Sequence, residues 1–322
     1  MRAPLLALLL IAPLALLAGC GGGTSAPSGT LLISRIDGIY ERGIDAPEET
    51  LLITGDEPDA FLLDPAVSPD GNRIAYIVQP PPRVVDGRYD SGSDLWVANR
   101  DGSGRRLVYA HAQPNALTRF PAWTDDGHVA VIVQEIIETE QLTEVVYTVQ
   151  LADMETGELR LIVEHALSLG AAPSGAELAI VRHSEAGETL QVMALDGTML
   201  REAVAAAEGL MPIAFPRFSP DGSRIAFAAS DAPLVTARVR GGARNGIDGP
   251  PQDVWLVDAA GGTPRRIADL KEDSPGLTWD GSGEHVYVLG GLGLYDVNVT
   301  NGAIVRVGDG AFHGQIAWAP GR

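Results

Sequence analysis

The chain has 322 residues, 45% of them hydrophobic, so it can bury a sizeable core as one large domain or two ordinary ones. Its formal net charge is −19. A surface this acidic repels phosphate backbones and anionic headgroups, so nucleic acid is excluded as an expected partner.

The first segment, residues 1–19, has the order of a secretory signal peptide. One arginine precedes an apolar run from Leu5 to Leu17, which is too short and too interrupted by proline for a comfortable membrane span. The four residues Leu17 to Cys20 resemble the lipobox of bacterial lipoproteins. That resemblance implies cleavage before Cys20, lipidation of its thiol and stable anchoring by more than one acyl chain. An ordinary signal peptide with an incidental cysteine is the alternative.

Residues 20–29 follow as a flexible tether rich in Gly, Ser and Pro. The expected location is therefore the extracytoplasmic side of the cell membrane or the outer membrane. The sequence leaves open whether the cell has an outer membrane.

A phrase of about fourteen residues then recurs along the chain, roughly 50 residues apart, as repeat architectures require. It combines a short strand, a turn with Pro, Asp and Gly, and a second strand. The copies occupy 64–77, 120–133, 169–182, 215–228 and 276–289, with Gly71, Gly127, Gly175, Gly222 and Gly283 as equivalents. In the clearest copies Pro presets φ, Asp caps its own backbone and Gly takes the positive φ.

A third strand, a tight turn and a fourth strand follow each phrase, so the unit is a four-stranded antiparallel meander. Residues 30–55 supply three strands without the phrase, and 314–322 supply its beginning alone. Pairing residues 315–319 beside 31–35 completes a sixth unit and removes two exposed edges. The prediction is an all-β, six-bladed β-propeller over residues 30–322, whose N- and C-terminal segments share the closing blade.

The phrase "SPDG-x-RIA-(Y/F)", followed by "DLWV" or "DVWLVD", resembles the TolB-type, WD-like propeller repeat. The resemblance covers 30–322 and is sharpest around Asp70 and Asp221. It implies the fold strongly and function weakly, because the repeat is a structural device. Such propellers commonly serve as binding platforms in the bacterial envelope, or accompany a catalytic domain. A prolyl-peptidase-like function is disfavoured because the chain has no G-x-S-x-G motif.

Long insertions are expected on one face of the ring only. Two of them, 79–93 and 229–252, are long loops without secondary structure of their own, and a third, 135–144, is expected to extend a hairpin. The first two carry the candidate partner-binding arginines Arg83, Arg88, Arg238, Arg240 and Arg244. Such a rim would clamp an acidic partner or a carboxylate ligand through its guanidinium groups. The alternative is a solvated insertion without a binding role.

A metal site at the channel mouth is the rival hypothesis. His165, His313 and Asp273 fall at comparable stations before innermost strands, and some propeller enzymes hold a metal with such histidines. They come from non-adjacent blades, however, and lack a short H-x-H or H-x₃-H spacing, which favours isolated loop residues. Asp/Gly fragments at 101–105 and 280–283 are interpreted as hairpin turns rather than calcium loops, so calcium or a transition metal at the channel stays open and no cofactor is predicted.

The sequence thus predicts a lipid-anchored envelope lipoprotein acting as a non-enzymatic scaffold, which binds an envelope protein or small ligand on its loop-rich face. The alternative is a metal-dependent lyase or hydrolase at the channel mouth. The oligomeric state is left open.

Overall fold

A computed structural model describes residues 29–138, 143–232, 250–311 and 315–321 of the chain. Within these ranges the strands form six four-stranded antiparallel sheets and one two-stranded sheet. The described helical content is a single 3₁₀ turn, Ala206–Glu208. None of the described helices has the length and apolar character needed to span a membrane.

The strands follow one another blade by blade. The closing blade begins with β1 (Gly29–Arg35), β2 (Gly38–Gly43) and β3 (Glu49–Thr54). Blade 2 contains β4 (Phe61–Val67), β5 (Arg73–Gln79), β8 (Asp94–Asn99) and β9 (Arg106–Tyr109), and between β5 and β8 a hairpin of β6 (Arg83–Val85) and β7 (Arg88–Asp90). Blade 3 contains β10 (Leu117–Trp123), β11 (His128–Glu138), β12 (Thr143–Asp153) and β13 (Leu159–Glu164).

The second half of the ring continues in the same order. Blade 4 contains β14 (Ala166–Ala171), β15 (Glu177–Ser184), β16 (Gly187–Ala194) and β17 (Met199–Val204). Blade 5 contains β18 (Ile213–Phe218), β19 (Arg224–Ala229), β20 (Gln252–Asp258) and β21 (Arg265–Glu272). Blade 6 contains β22 (Gly276–Trp279), β23 (His285–Leu289), β24 (Leu294–Asn298) and β25 (Ile304–Gly308), and the closing blade ends with β26 (Ile316–Pro320).

The predicted closure is confirmed. The closing blade has the order β26-β1-β2-β3, with Leu31 opposite Trp318 and Ile33 opposite Ile316. The fold is therefore a six-bladed propeller in which one sheet is shared by the two ends of the described chain. The strand begins at Gly29, one residue before the expected start of the propeller.

Because each blade is a meander, its turns fall on two faces of the ring. The turns between its first and second strands and between its third and fourth strands lie on one face, here called the turn face. The loops between second and third strands, and the connections between blades, lie on the other, here called the loop face. The predicted hairpin extension is confirmed there, since β11 and β12 stay paired out to Glu138 opposite Thr143.

The repeated phrase satisfies its own polar groups on the turn face. The Ser68 hydroxyl donates to Asp70 Oδ1 at 2.5 Å, and the Asn72 N–H donates to the same oxygen at 3.0 Å. Asp221 is held in the same way by Ser219 and Ser223. The serine hydroxyls, followed by the backbone donors, lower the pKa of Asp70 and of Asp221 to about 2. These carboxylates are turn residues.

Arginine and tryptophan side chains of the phrase join neighbouring blades. The Arg73 guanidinium stacks over the ring of Trp123 in the next blade, 4.9 Å from its centroid, and Arg224 stacks over Trp279 at 5.1 Å. The Trp123 indole N–H also donates to the Ala66 carbonyl at 3.0 Å. Both tryptophans are buried, as expected for inter-blade core.

The innermost strands carry polar groups that bond to neighbouring blades. Asp64, only 1% exposed, accepts from Arg119 Nε at 2.8 Å and from the Phe120 N–H at 3.1 Å. Arg217 donates to the carbonyls of Leu169 and Leu277, at 3.1 and 3.2 Å. Burial lowers the pKa of Arg217 to about 10, which leaves it charged at neutral pH. These bonds join blade 3 to blade 2, and blade 5 to blades 4 and 6.

Candidate functional site

The loop face carries the most exposed large apolar side chains among the residues the structure describes. They are Ile36, Val84, Leu292 and Tyr89, which are 76, 71, 65 and 59% exposed. All four lie between the second and third strands of their blades, and those blades, namely blade 6, the closing blade and blade 2, are consecutive in the ring. We call these four residues the apolar tips. Single exposed apolar residues are ordinary, but their concentration on one arc of one face is typical of an interaction surface.

The tip of blade 2 is a hairpin, which corrects the expectation that residues 79–93 lack secondary structure. Strands β6 and β7 pair across a turn in which Asp86 and Gly87 have φ of 50° and 77°. Positive φ at both central residues is the requirement of a two-residue type I′ turn, and Asp-Gly is a preferred sequence for it. Val84 lies directly opposite Tyr89, so the two side chains share one face of the hairpin.

The base of this hairpin is fixed by buried polar groups. Asp90, 7% exposed, accepts from the backbone N–H groups of Gly92 and Asn115, both at 3.0 Å. The Asn115 side chain in turn accepts from the backbone and the hydroxyl of Ser91, at 3.1 and 3.0 Å. A hairpin held this firmly presents its tip with little entropy left to lose on binding.

His111 joins the hairpin base to the blade beneath it. Its Nδ1 lies 2.6 Å from Asp94 Oδ1 and its Nε2 lies 3.1 Å from Asp90 Oδ2. Burial opposes the charged form of the ring, but its hydrogen bonds with Asp94 and Asp90 outweigh burial and raise the pKa of His111. Burial would raise the pKa of Asp90, yet the Asn115 and Gly92 N–H groups and His111 together lower it to about 2. These hydrogen bonds join the hairpin base to the connection that follows β9.

The Leu292 tip has a buried anchor of its own. Glu272, 1% exposed at the end of β21, accepts from the Leu292 backbone N–H at 3.1 Å and from the Tyr295 hydroxyl at 2.9 Å. Gly290 packs so closely on this carboxylate that a Cβ there would lie 2.2 Å from its Cδ.

The Ile36 tip is anchored by the residue before it. Arg35 donates from Nε to Glu49 at 2.9 Å and from Nη1 to the Gly310 carbonyl at 2.8 Å. The second of these bonds crosses from the closing blade to the connection that leaves blade 6. Each apolar tip therefore sits on a fixed polar base.

Two of the five candidate partner-binding arginines lie in the blade 2 hairpin. Arg83 is half exposed, with its Nε 4.0 Å from Asp90 Oδ2, and the exposed Arg88 lies opposite Val85. Arg238, Arg240 and Arg244 lie outside the described residues, so their place stays a prediction. Because side chains alternate along a strand, Arg83 and Arg88 share the face of the hairpin opposite to Val84 and Tyr89.

The residues of the alternative metal site are not brought together where the structure describes them. His165 leads into blade 4 and Asp273 leads into blade 6, and both side chains are exposed. Among the described residues, no group of three or more His, Cys, Asp or Glu could hold a metal ion. His313 lies outside the described ranges, as does the predicted lipidation site Cys20, so these assignments stay predictions.

Sequence reasoning identified the insertion but not the apolar tips. Ile36 stands between Arg35 and the Asp37-Gly38 turn, and Leu292 stands among glycines. An apolar residue isolated within a turn is the signal that could have found them, because turns face water. The pairing of His111 with Asp90 and Asp94 carries no such signal, since the three residues lie on separate segments.

No protein-family profile and no curated protein sequence matches the chain. Among solved structures, the chain is similar to TolB from Acinetobacter baumannii, with a TM-score of 0.64 and 13% identity over 93% of this chain and 68% of that one. It is also similar to a chain in the crystal structure of a nidogen/laminin complex, with a TM-score of 0.62 and 10% identity over 90% of this chain and 98% of that one. At such identities the likeness shows the fold alone, which is a six-bladed β-propeller.

Proposed function

We propose that this chain is a lipid-anchored, extracytoplasmic lipoprotein whose propeller binds another envelope protein through the apolar tips and performs no catalysis. The observation that carries the proposal is the arc of Ile36, Val84, Tyr89 and Leu292 on three consecutive blades. Exposed apolar groups on rigid loops gain affinity from burial while losing little conformational freedom.

The chemistry around the tips favours a protein partner with acidic groups at its rim. Tyr89 offers a large amphipathic ring of the kind enriched at energetic centres of interfaces. Arg83 and Arg88 lie on the other face of the same hairpin and can pair with carboxylates at the edge of a contact. The strongly acidic remainder of the chain would repel such a partner elsewhere, which orients it toward this arc.

The location is supported by sequence. The lipobox resemblance at Leu17 to Cys20 supplies an anchor, and the residues that follow it read as a tether to the ring. The nidogen/laminin complex supports protein binding as a use of this fold, since a chain with the same architecture is there part of a protein complex.

A quantitative pull-down from envelope extract tests the surface. We compare the wild-type chain with Val84→Glu and with the matched control Val305→Glu, a valine 56% exposed on the outermost strand of blade 6. We expect Val84→Glu to lose at least tenfold of one specific partner, because a buried unpaired charge disrupts an interface core. Equal recovery of all proteins by the three chains would overturn the proposed surface.

Two further measurements separate charge and anchoring from apolar contact. Arg88→Ala is expected to lower the recovery of the same partner by less than Val84→Glu does. That loss is expected to be larger at low salt than at high salt, because salt screens exposed charges. Incorporation of a labelled fatty acid is expected in the wild type and not in Cys20→Ala. Labelling that persists in Cys20→Ala would contradict lipidation at this residue.

A further inference from the structure

A cavity of about 170 Å³ lies between the closing blade and blade 2, beside the base of the hairpin. Its floor is the sheet of blade 2, where Leu62 and Tyr76 are each 1% exposed. One wall is the connection from Thr54 to Ala60, which joins the two blades. The more exposed lining residues, Arg83, Arg105 and Asp56, mark its mouth.

The floor presents two hydrogen-bond donors to this space. The indole Nε1 of Trp96 is buried and has no hydrogen-bond partner among the described residues. Tyr76 lies directly opposite Trp96 in the sheet, and both residues line the cavity. Burial raises the pKa of Tyr76 to about 12, so at neutral pH this hydroxyl keeps its proton and can donate. A buried donor without a partner is costly, so the Trp96 indole N–H favours an acceptor from outside the chain, and the Tyr76 hydroxyl can donate to the same acceptor.

Blade 5 shows the same position built without a cavity donor. There Trp255 lies opposite Phe227, which has no hydroxyl, and the Trp255 indole N–H donates to the Ala229 carbonyl at 3.1 Å. The two equivalent aromatic pairs therefore differ in two properties, the presence of a hydroxyl and the partner of the indole N–H. The pair in blade 2 carries a hydroxyl, that of Tyr76, and its indole N–H has no partner among the described residues.

Four of the five charged groups that line the cavity already have a partner, and the fifth, Glu57, is exposed. Arg105 Nη2 lies 2.6 Å from Asp56 Oδ1, and Asp94 accepts from the backbone and ring of His111. A charged group held at the buried floor, beside Trp96 and Tyr76, would have no counter-ion there, which is costly. The cavity is slightly larger than one of about 150 Å³ that binds benzene, so it takes a body of about one ring.

We propose that this cavity binds a small neutral molecule with one ring-sized apolar body and an oxygen that accepts hydrogen bonds from Trp96 and Tyr76. The site is distinct from the apolar tips, although Arg83 borders both.

The test follows the indole N–H signals of the ¹⁵N-labelled full chain by NMR during titration with phenol. The Trp96 signal, assigned as the one missing in Trp96→Phe, is expected to shift saturably, while the Trp255 signal stays in place. Tyr76→Phe is isosteric and removes one donor, so we expect phenol to bind about three- to tenfold more weakly. Ala60→Leu fills the space and is expected to abolish the shift, whereas Val84→Glu leaves it unchanged.

Several outcomes would overturn the proposal. An absent or non-saturable shift at Trp96 removes the site, and binding by Ala60→Leu as tight as that of wild type places phenol elsewhere. Benzoate binding as tightly as phenol contradicts a neutral ligand. N-acetyltyrosinamide binding as tightly as phenol assigns the cavity to a side chain of a partner protein instead.

Discussion

The two faces of the ring use polar residues in opposite ways. On the turn face, carboxylates such as Asp70 and Asp221 are exposed and bind the backbone and hydroxyls of their own turns. On the loop face, the carboxylates Asp90 and Glu272 are buried at the bases of loops whose tips are apolar. Polar residues of the turn face therefore stabilise the turns of the ring itself. Those of the loop face hold the bases of loops whose apolar tips stay exposed and available for contact.

The comparison is tested most severely by adding a methyl group to one glycine on each face. Gly175 has φ of 71°, and a Cβ there would lie 1.6 Å from the Thr124 carbonyl oxygen of the neighbouring blade. Gly87 at the hairpin tip has φ of 77° and no atom within 4 Å of a built Cβ. We expect Gly175→Ala to lose about 3 kcal/mol or more and Gly87→Ala about 1 kcal/mol of unfolding free energy, measured with urea. Equal losses would show that the turn face is not packed against its neighbour.

Asparagine at the buried anchor tests whether the loop base matters more than a turn. Asp90→Asn keeps the shape but turns an amide toward backbone N–H donors, which we expect to cost about 2 kcal/mol. Asp70→Asn, in an exposed turn, is expected to cost less than about 1 kcal/mol. Faster tryptic cleavage after Arg83 and Arg88 in Asp90→Asn would show that the hairpin has loosened, and unchanged cleavage would contradict the anchoring role.

Acid unfolding reports on the turn face. The pKa values of Asp70 and Asp221 are about 2 in the folded chain, against an ordinary value of 3.8. Their contribution is therefore complete above pH 3.8 and is lost as the pH falls toward 2. The double variant Asp70→Asn/Asp221→Asn is expected to lose less stability over this interval than the wild type, measured by urea midpoints at each pH. A parallel decline in both chains would contradict the assignment.

The change in stability as the pH rises above 6.5 tests the contribution of His111 on the loop face. The pKa of His111 is raised above 6.5, because the carboxylates of Asp94 and Asp90 outweigh burial. Its contribution is complete below pH 6.5 and is lost as the pH rises through the folded value. We expect the wild type to lose stability over that rise and His111→Gln to show a flatter profile. The buried Asp90 keeps its other donors in that variant, so the hairpin is expected to stay folded.

The smallest effect is expected at the apolar tips themselves. Val84→Glu changes a side chain that is 71% exposed, so the unfolding free energy should move by no more than about 0.5 kcal/mol. A larger loss would mean that Val84 packs on the ring, and the binding test at this residue would then need Tyr89 instead.

Much of the fold was predictable because its signals are local. The turn phrase, the Gly-containing hairpin turns and the unmatched segments at the two ends specify six meanders and the way they close. The hairpin at Asp86-Gly87 has a local signal too, the Asp-Gly pair, which the expectation of a long loop without secondary structure does not use.

The site was less predictable because its properties depend on contacts between distant segments. The exposure of Ile36 and Leu292 depends on which loops the ring leaves uncovered. The partners of His111 are Asp90, within the insertion, and Asp94, at the start of β8. Trp96 and Trp255 stand in matching sequence contexts, but Trp96 borders a cavity that the 54–60 connection also lines.

The shared closing blade also sets the order in which the chain can fold. Of the described strands, β1 is synthesised first and β26 last. Strand β26 must therefore leave the ribosome before β1 gains its inner neighbour. Until then two blade surfaces remain without a cover, and the loop to be closed spans nearly the whole ring, which makes closure slow. Completion of the ring therefore waits for β26, and we expect a chain that lacks this strand to form an open, association-prone arc.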